Sequence, residues 1–236
     1  MKVIRIITAM FLTAALAAPS MAQNKETHDP AAKKVLEKIS TTTQSYQSLR
    51  ATFDWTLENK AEKTKDTKQG YMFIKGNNKY KLILQGTEIF SNGTDTWTYS
   101  KEANEITVNA VDETEESIVS NPTKIFSLYE KGFKYSLKGE EQKQIRIKAD
   151  GKVSTVKKNC YVIDLYPESP KGKEFHTIEL IVDKATTQIY SIDIKFKNGS
   201  DQIIEILDYK PNVAMPDNLF IYEESKYPGA ELNDMR

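Results

Sequence analysis

The stretch Ser91-Asn92-Gly93-Thr94-Asp95-Thr96-Trp97-Thr98-Tyr99 sets a reversal signal, Asn92-Gly93, directly before a run that alternates polar and aromatic residues. Asn and Gly both accept a positive φ, so the pair reads as a tight turn into a strand over Asp95 to Ser100. The same grammar repeats upstream. Gln85-Gly86 turns the chain into Thr87 to Ser91, and Asn77-Asn78 separates Lys79 to Leu84 from Gly70 to Lys75. Tyr71 and Phe73 share one face of the latter strand, and Tyr80, Leu82 and Leu84 share one face of its neighbour. Before the charged turn Lys60 to Lys68, the residues Leu49, Ala51, Phe53, Trp55 and Leu57 alternate with polar partners. Ile106 and Val108 add one more strand downstream. An antiparallel meander follows from these periods of two.

Outside the meander the period changes. Ala32, Val35, Leu36, Ile39 and, more loosely, Tyr46 recur at helical spacing behind Asp29-Pro30, which predicts one amphipathic helix over about 31–46. The acidic run Asp112 to Glu116, then Ile118, Pro122, Ile125 and Phe126, predicts two short helices within 112–131. Strands are expected again over 133–138, 144–148, 159–166, 174–182, 187–197 and 201–210, with turns at Gly139, Asp150-Gly151, Pro167, Pro170, Gly172, Asp183 and Asn198-Gly199, the last being the sharpest hairpin signal. About ten to eleven antiparallel strands must solve their edges by sandwiching or curling, and helices can cover one open face.

The N-terminus decides the compartment. Lys2 and Arg5 precede the short apolar run Ile6 to Ala18, and Ser20-Met21-Ala22 offers small residues for a signal peptidase. The expected organisation is a signal peptide over 1–22, a disordered leader over 23–30 and a single domain over 31–236, exported and monomeric.

Composition then narrows the chemistry. Lys plus Arg and Asp plus Glu are both 33, so the chain as a whole has no field to draw in nucleic acid. Cys160 has no disulfide partner and lies in the strand-like run Cys160 to Leu165, where it reads as a small hydrophobe. Of the two histidines, His28 falls in the expected leader and His176 has no nucleophile elbow to serve, so no triad is legible. One cysteine and one histidine in the folded part do not make a zinc set, and the acidic run lacks the spacing of a calcium loop. The expectation is a protein without enzymatic activity, metal or cofactor.

Aromatic richness remains. Phe53, Trp55, Tyr71, Phe73, Tyr80, Trp97 and Tyr99 are expected on shared faces of successive strands, as core and as the lining of an apolar cleft.

In order and spacing, Leu49-x-Ala51-x-Phe53, Gly70-x-Met72-x-Ile74-Lys75, Tyr80, Ser91-Asn92-Gly93-x-x-x-Trp97-x-Tyr99, Ile106-Thr107-Val108, Asn121-Pro122 and Asp217-Asn218-Leu219-Phe220 resemble the outer-membrane lipoprotein carrier family, LolA. The likeness spans about 31–222, and the ending Lys226-Tyr227-Pro228-Gly229 resembles its Bacteroidetes-type variant. It implies a mainly β fold, an unclosed antiparallel β-barrel with an α-helical lid over a concave apolar face. It further implies a periplasmic chaperone that takes acylated lipoproteins from an inner-membrane ABC-type release complex to an outer-membrane acceptor. The lining expected on this basis is Phe53, Trp55, Phe73, Tyr80, Leu82, Trp97, Tyr99, Ile118, Ile125 and Phe126. Asp217 to Phe220 would be the closing strand. Where the family has Arg-Pro to latch the lid, this chain has Gly76-Asn77, leaving Lys75 or Lys79 as candidate latches. The alternatives are an envelope-stress sensor or adaptor on the same barrel, and a hydrolase on an unfamiliar β scaffold.

Overall fold

In the computed structural model, residues 28–76, 78–112 and 132–236 are described. The expected signal peptide over 1–22 lies outside them, as do all but Asp112 of the residues 112–131 expected to hold two short helices. The first element is the helix α1 (Pro30–Gln44). Asp29 caps it: its Oδ1 accepts from the backbone N–H groups of Ala31 (2.8 Å) and Ala32 (3.4 Å), and its other oxygen accepts from Leu137 N (2.8 Å). Burial opposes ionisation of this carboxyl, but the three backbone donors, led by Leu137, outweigh it and hold the group below its ordinary range. His28 makes a bridge to Tyr135 and the helix starts at Pro30, so residues 28–30, expected within a disordered leader, are part of the fold; residues 23–27 lie outside the described ones.

Among the described residues twelve strands follow, one or two more than the sequence predicts. They are β1 (Ser48–Asn59), β2 (Thr64–Lys75), β3 (Lys79–Leu84), β4 (Thr87–Asn92), β5 (Asp95–Ser100) and β6 (Glu105–Ala110). Then come β7 (Phe133–Ala149), β8 (Lys152–Pro167), β9 (Phe175–Asp183), β10 (Ile189–Phe196), β11 (Ser200–Pro211) and β12 (Glu231–Asp234). All join one open sheet in the order β12-β6-β5-β4-β3-β2-β1-β11-β10-β9-β8-β7. Every neighbouring pair is antiparallel except β12 with β6. The mainly β, unclosed architecture is the expected one.

Three local readings are corrected. The expected strands at 133–138 and 144–148 are one strand, and Gly139 marks a bulge after Leu137 rather than a turn. The turn expected at Asp150-Gly151 is present, both residues having positive φ (49° and 76°), as a type I′ hairpin requires. The charged stretch expected as a turn over Lys60 to Lys68 is strand from Thr64 onwards, part of β2. Asp217–Phe220 is a turn of 3-10 helix with Phe220 fully buried, not a closing strand. The edge on that side is completed instead by β12, which nothing in the polar sequence Glu231-Leu232-Asn233-Asp234 announces.

Residues directly opposite each other in a ladder project from the same face, so register assigns every side chain to one of two faces. The apolar side chains of α1 (Ala32, Val35, Leu36, Ile39) pack on Phe133, Tyr135, Ile163, Leu165, Ile178, Leu180, Val182 and Ile192, all on one face of β7 to β10. That face is called the helix-bearing face below. The opposite face is crossed by the outer arm of the β7–β8 hairpin. Arg146 reaches Asp54 (2.8 Å) and Glu205 (2.9 Å), and Lys148 reaches Gln69 (3.3 Å). Glu205, Asp54 and Gln69 are successive cross-strand neighbours on β11, β1 and β2, so the arm runs across the strands.

Candidate functional site, an apolar strip on the helix-bearing face

From β1 outwards the helix-bearing face carries Leu49, Ala51, Phe53, Trp55 and Leu57. Opposite these lie Ile74, Met72, Gly70 and Lys68 on β2, then Tyr80, Leu82 and Leu84 on β3, and Ile89 on β4. On the other side of β1, β11 adds Tyr209, Ile206 and Ile204. Leu49, Ala51, Phe53, Met72, Ile74, Tyr80, Leu82 and Ile206 form one buried cluster, with Trp55, Leu84, Ile89 and Tyr209 half-buried against it. Ile204 packs against both this cluster and the one beneath α1, so the apolar surface is continuous.

The strip is nearly free of charge. Lys68, paired with Asp66 at 2.8 Å, marks one rim, and Ser91, Thr96 and Thr98 turn the face polar beyond β3. Gly70 has a steric role here. A Cβ on it would lie 2.3 Å from Phe53 Cζ, so only glycine lets the Phe53 ring lie across β2. A wide apolar surface with so few hydrogen-bonding groups binds by area and shape, not by polar anchors.

The expected lining divides. Phe53, Trp55, Tyr80 and Leu82 are together on the helix-bearing face. Phe73 lies opposite Arg50 and Lys81 on the other face, and Trp97 and Tyr99 are there too, opposite Phe90 and Glu88. The expectation of one shared face is therefore corrected. On β2 both alternate sets are apolar; Met72 and Ile74 are the buried ones, and Tyr71 is exposed. Ile118, Ile125 and Phe126 lie outside the described residues. Sequence reasoning missed Met72, Leu84, Ile89, Ile204 and Ile206 for the strip. The period-two partners of Phe53 and Leu82 could have pointed to them had aliphatic residues been weighed equally with aromatic ones.

The motif around Trp97 has a structural task. Asn92 Oδ1 accepts from Thr94 N and Asp95 N (both 2.8 Å), Ser91 Oγ donates to Asp95 O (2.8 Å), and Gly93 takes φ 97°. This holds the β4–β5 turn. Trp97 stacks on Phe90 (centroids 5.5 Å), and Phe90 stacks on Tyr227 (6.0 Å) from the C-terminal segment. Tyr227 also meets Tyr99 (4.8 Å) and Tyr222 (5.8 Å), and donates to Glu88 (2.9 Å), which pairs with Lys81 (2.6 Å). Burial, then the Glu88 carboxylate, push the Tyr227 phenol above its ordinary range. The candidate latches belong to this same assembly. Lys75 Nζ donates to Met215 O (2.7 Å) and Asp217 (2.8 Å), and Lys79 Nζ to Asp217 (3.2 Å). Both lysines are on the face opposite α1 and hold the C-terminal segment there, so neither is a latch over the strip.

His176 Nδ1 lies 2.9 Å from Thr177 Oγ1, and Cys160 is fully buried, its thiol pushed up by burial and by Asp183. Among the described residues no three His, Cys, Asp or Glu side chains are grouped as a metal would need, and no helix is long and apolar enough to cross a membrane.

Comparison with known proteins bears on this geometry. The family model described as outer membrane lipoprotein carrier protein LolA matches residues 20–175. No curated protein matches the sequence. Among solved structures, an uncharacterized conserved protein from Thermus thermophilus is similar at 11% identity and a TM-score of 0.51, covering 86% of this chain and 99% of that one. This likeness is one of fold. A LolA superfamily protein from Nitrosomonas europaea (14% identity, TM-score 0.42, 81% and 97% covered) and the Pseudomonas aeruginosa MucA/MucB complex (11%, 0.36, 82% and 61%) are more distant in shape.

Proposed function

The chain belongs to the LolA family of outer membrane lipoprotein carrier proteins, and from that premise we propose that it binds the acyl chains of lipoproteins on the apolar strip and carries them across the periplasm. The observation that carries this reading is the continuous, almost charge-free strip of β1 to β4 and β11 on the helix-bearing face. Each methylene moved from water onto such a surface contributes about 0.8 kcal/mol, so a partly covered acyl chain is held firmly yet released without breaking polar contacts. Phe53, Trp55, Tyr80 and Leu82 are the proposed contacts, and Ile118, Ile125 and Phe126 are proposed as further ones. An inner-membrane ABC-type complex would load the protein and an outer-membrane acceptor would unload it.

The test is release of newly made lipoproteins from spheroplasts by the purified protein. Soluble complexes should form with the wild type. They should be lost with Trp55→Glu, whose side chain is only half-buried and whose change therefore spares the core. Excluding even two methylenes costs about 1.6 kcal/mol, or more than tenfold in acyl affinity. Acyl binding without lipoprotein release would support sensing rather than transport, and undiminished release by Trp55→Glu would refute the strip as the site.

A further inference from the structure

We propose that the tip of the β7–β8 arm, together with Tyr71 beside it, is a docking surface for an anionic lipid headgroup layer. The surface is assembled around Gln69, whose Oε1 accepts from both Lys148 Nζ (3.3 Å) and Tyr71 Oη (3.4 Å). Val153 is the cross-strand partner of Lys148, so two exposed apolar side chains, Tyr71 (41% exposed) and Val153 (45%), flank one lysine. Lys157 shares the hairpin face of Val153, and Lys152 opens β8 beside the Asp150-Gly151 turn. Lys65 is on the same face of β2 as Gln69, about 13 Å along the strand at roughly 3.4 Å per residue.

Among the described residues Lys65, Lys148, Lys152 and Lys157 form no ion pair, whereas their neighbours Lys68, Lys143 and Lys158 each have a carboxylate partner. Glu58, opposite Lys65, and Asp150, at the turn, offset them in part. In a chain whose charges balance as a whole at 33 and 33, this is a local concentration of unpaired cations around exposed apolar groups. Such a combination suits a lipid surface. Lysines act as point charges towards a diffuse layer of phosphates, and a tyrosine ring with a polar tip rests at headgroup level. Among the described residues no row of exposed aromatic side chains accompanies the lysines as single-stranded nucleic acid would require. The surface is on the face opposite the apolar strip, so docking leaves the strip unobstructed.

The experiment is flotation of the purified protein with vesicles of phosphatidylcholine alone and of phosphatidylcholine with about 30% phosphatidylglycerol, a content that gives a clearly negative surface. The wild type should float with the anionic vesicles only, and less as salt rises. Each lysine near such a surface is worth about fivefold in affinity. The triple variant Lys65→Glu, Lys152→Glu, Lys157→Glu should therefore lose at least about 100-fold, and Val153→Asp a smaller factor. All four positions are exposed and make no ion pair, so folding is spared. Binding of a soluble fluorescent fatty acid, measured on the same samples, should be unchanged, which separates this proposal from the carrier reading. Equal flotation with neutral vesicles, no flotation at all, or undiminished binding by the triple variant would overturn it; in the last two cases an acidic protein is the remaining partner for these lysines.

Discussion

Gly70→Ala is expected to destabilise the protein by about 1–2 kcal/mol, although the same change in an ordinary strand stabilises by about 0.5–1 kcal/mol. The sign is set by Phe53. The new methyl group would sit 2.3 Å from Phe53 Cζ and 2.8 and 2.9 Å from the two Cε atoms. Carbon atoms rest at about 3.5 Å or more, so the ring tip must retreat by roughly 1 Å. Phe53 is 5% exposed and packed among Leu49, Met72, Leu82 and Ile206, so its retreat disturbs a filled cluster. Overpacking of this kind costs about 1–3 kcal/mol, which exceeds the backbone gain. The assay is urea unfolding followed by circular dichroism for the wild type, Gly70→Ala, Phe53→Ala and the double variant. Phe53→Ala alone should cost about 3–5 kcal/mol. In that background Gly70→Ala should become stabilising, giving a coupling of about 2–3 kcal/mol between the two sites. Gly70→Ala that is neutral or stabilising in the wild type, or an additive cycle, would refute the account of the ring lying across β2. Because Phe53 is also a proposed acyl contact, the single variant should weaken fatty-acid binding in step with its loss of stability.

Two other consequences are open to measurement. Burial, and then the Asp201 carboxylate, push the Asp193 carboxyl up to about 6 from 3.8, so the native state keeps this proton longer than the unfolded chain does. The contribution of Asp193 is then most favourable below about pH 4 and declines as pH rises to about 6, by at most about 3 kcal/mol; Asp193→Asn should remove that decline, and parallel stability curves for the two proteins between about pH 4 and 7 would contradict it. Tyr227→Ala, which strips the ring between Phe90, Tyr99 and Tyr222, should cost about 3–5 kcal/mol. Its effect on hydrogen exchange should be fast amides in β12 (Glu231–Asp234) with protection of α1 retained.

How much of this is legible in the sequence depends on the kind of signal. The helix predicted over 31–46 is Pro30–Gln44, because four apolar residues at helical spacing follow an Asp-Pro cap. Most strands of the meander agree closely, because they are bounded by turn residues and alternate; β2 does not, since it starts at Thr64, inside the charged stretch expected as a turn over Lys60 to Lys68. Facing is less legible. In Gly70-Tyr71-Met72-Phe73-Ile74 both alternate sets are apolar, and only the pairing of Met72 with Ala51 and Leu82 decides which set is inward. Trp97 and Tyr99 are misassigned to the strip for a similar reason: their partner, Tyr227, is far along the sequence and sits among polar residues. The four inward positions Phe53, Trp55, Tyr80 and Leu82 are readable because their strands have one polar face. The crossing arm is not, since a bulge at Gly139 and a turn at Asp150-Gly151 look alike in sequence.

The strand order has a consequence for folding during synthesis. The first strand lies at the middle of the sheet, and its partner on one side, β11, is nearly the last to be made. Until residues 200–211 have emerged, one long edge of β1 offers unpaired backbone groups, and its row of Leu49, Phe53 and Trp55 lacks Ile204 and Ile206. A chain made from its N-terminus therefore spends most of its synthesis as a sticky half-sheet, with the slow closure expected of distant pairings. Whatever guards the emerging chain has to stay with it until β11 arrives, so the protein needs for itself, while it is being made, the kind of shelter it is proposed to give to others.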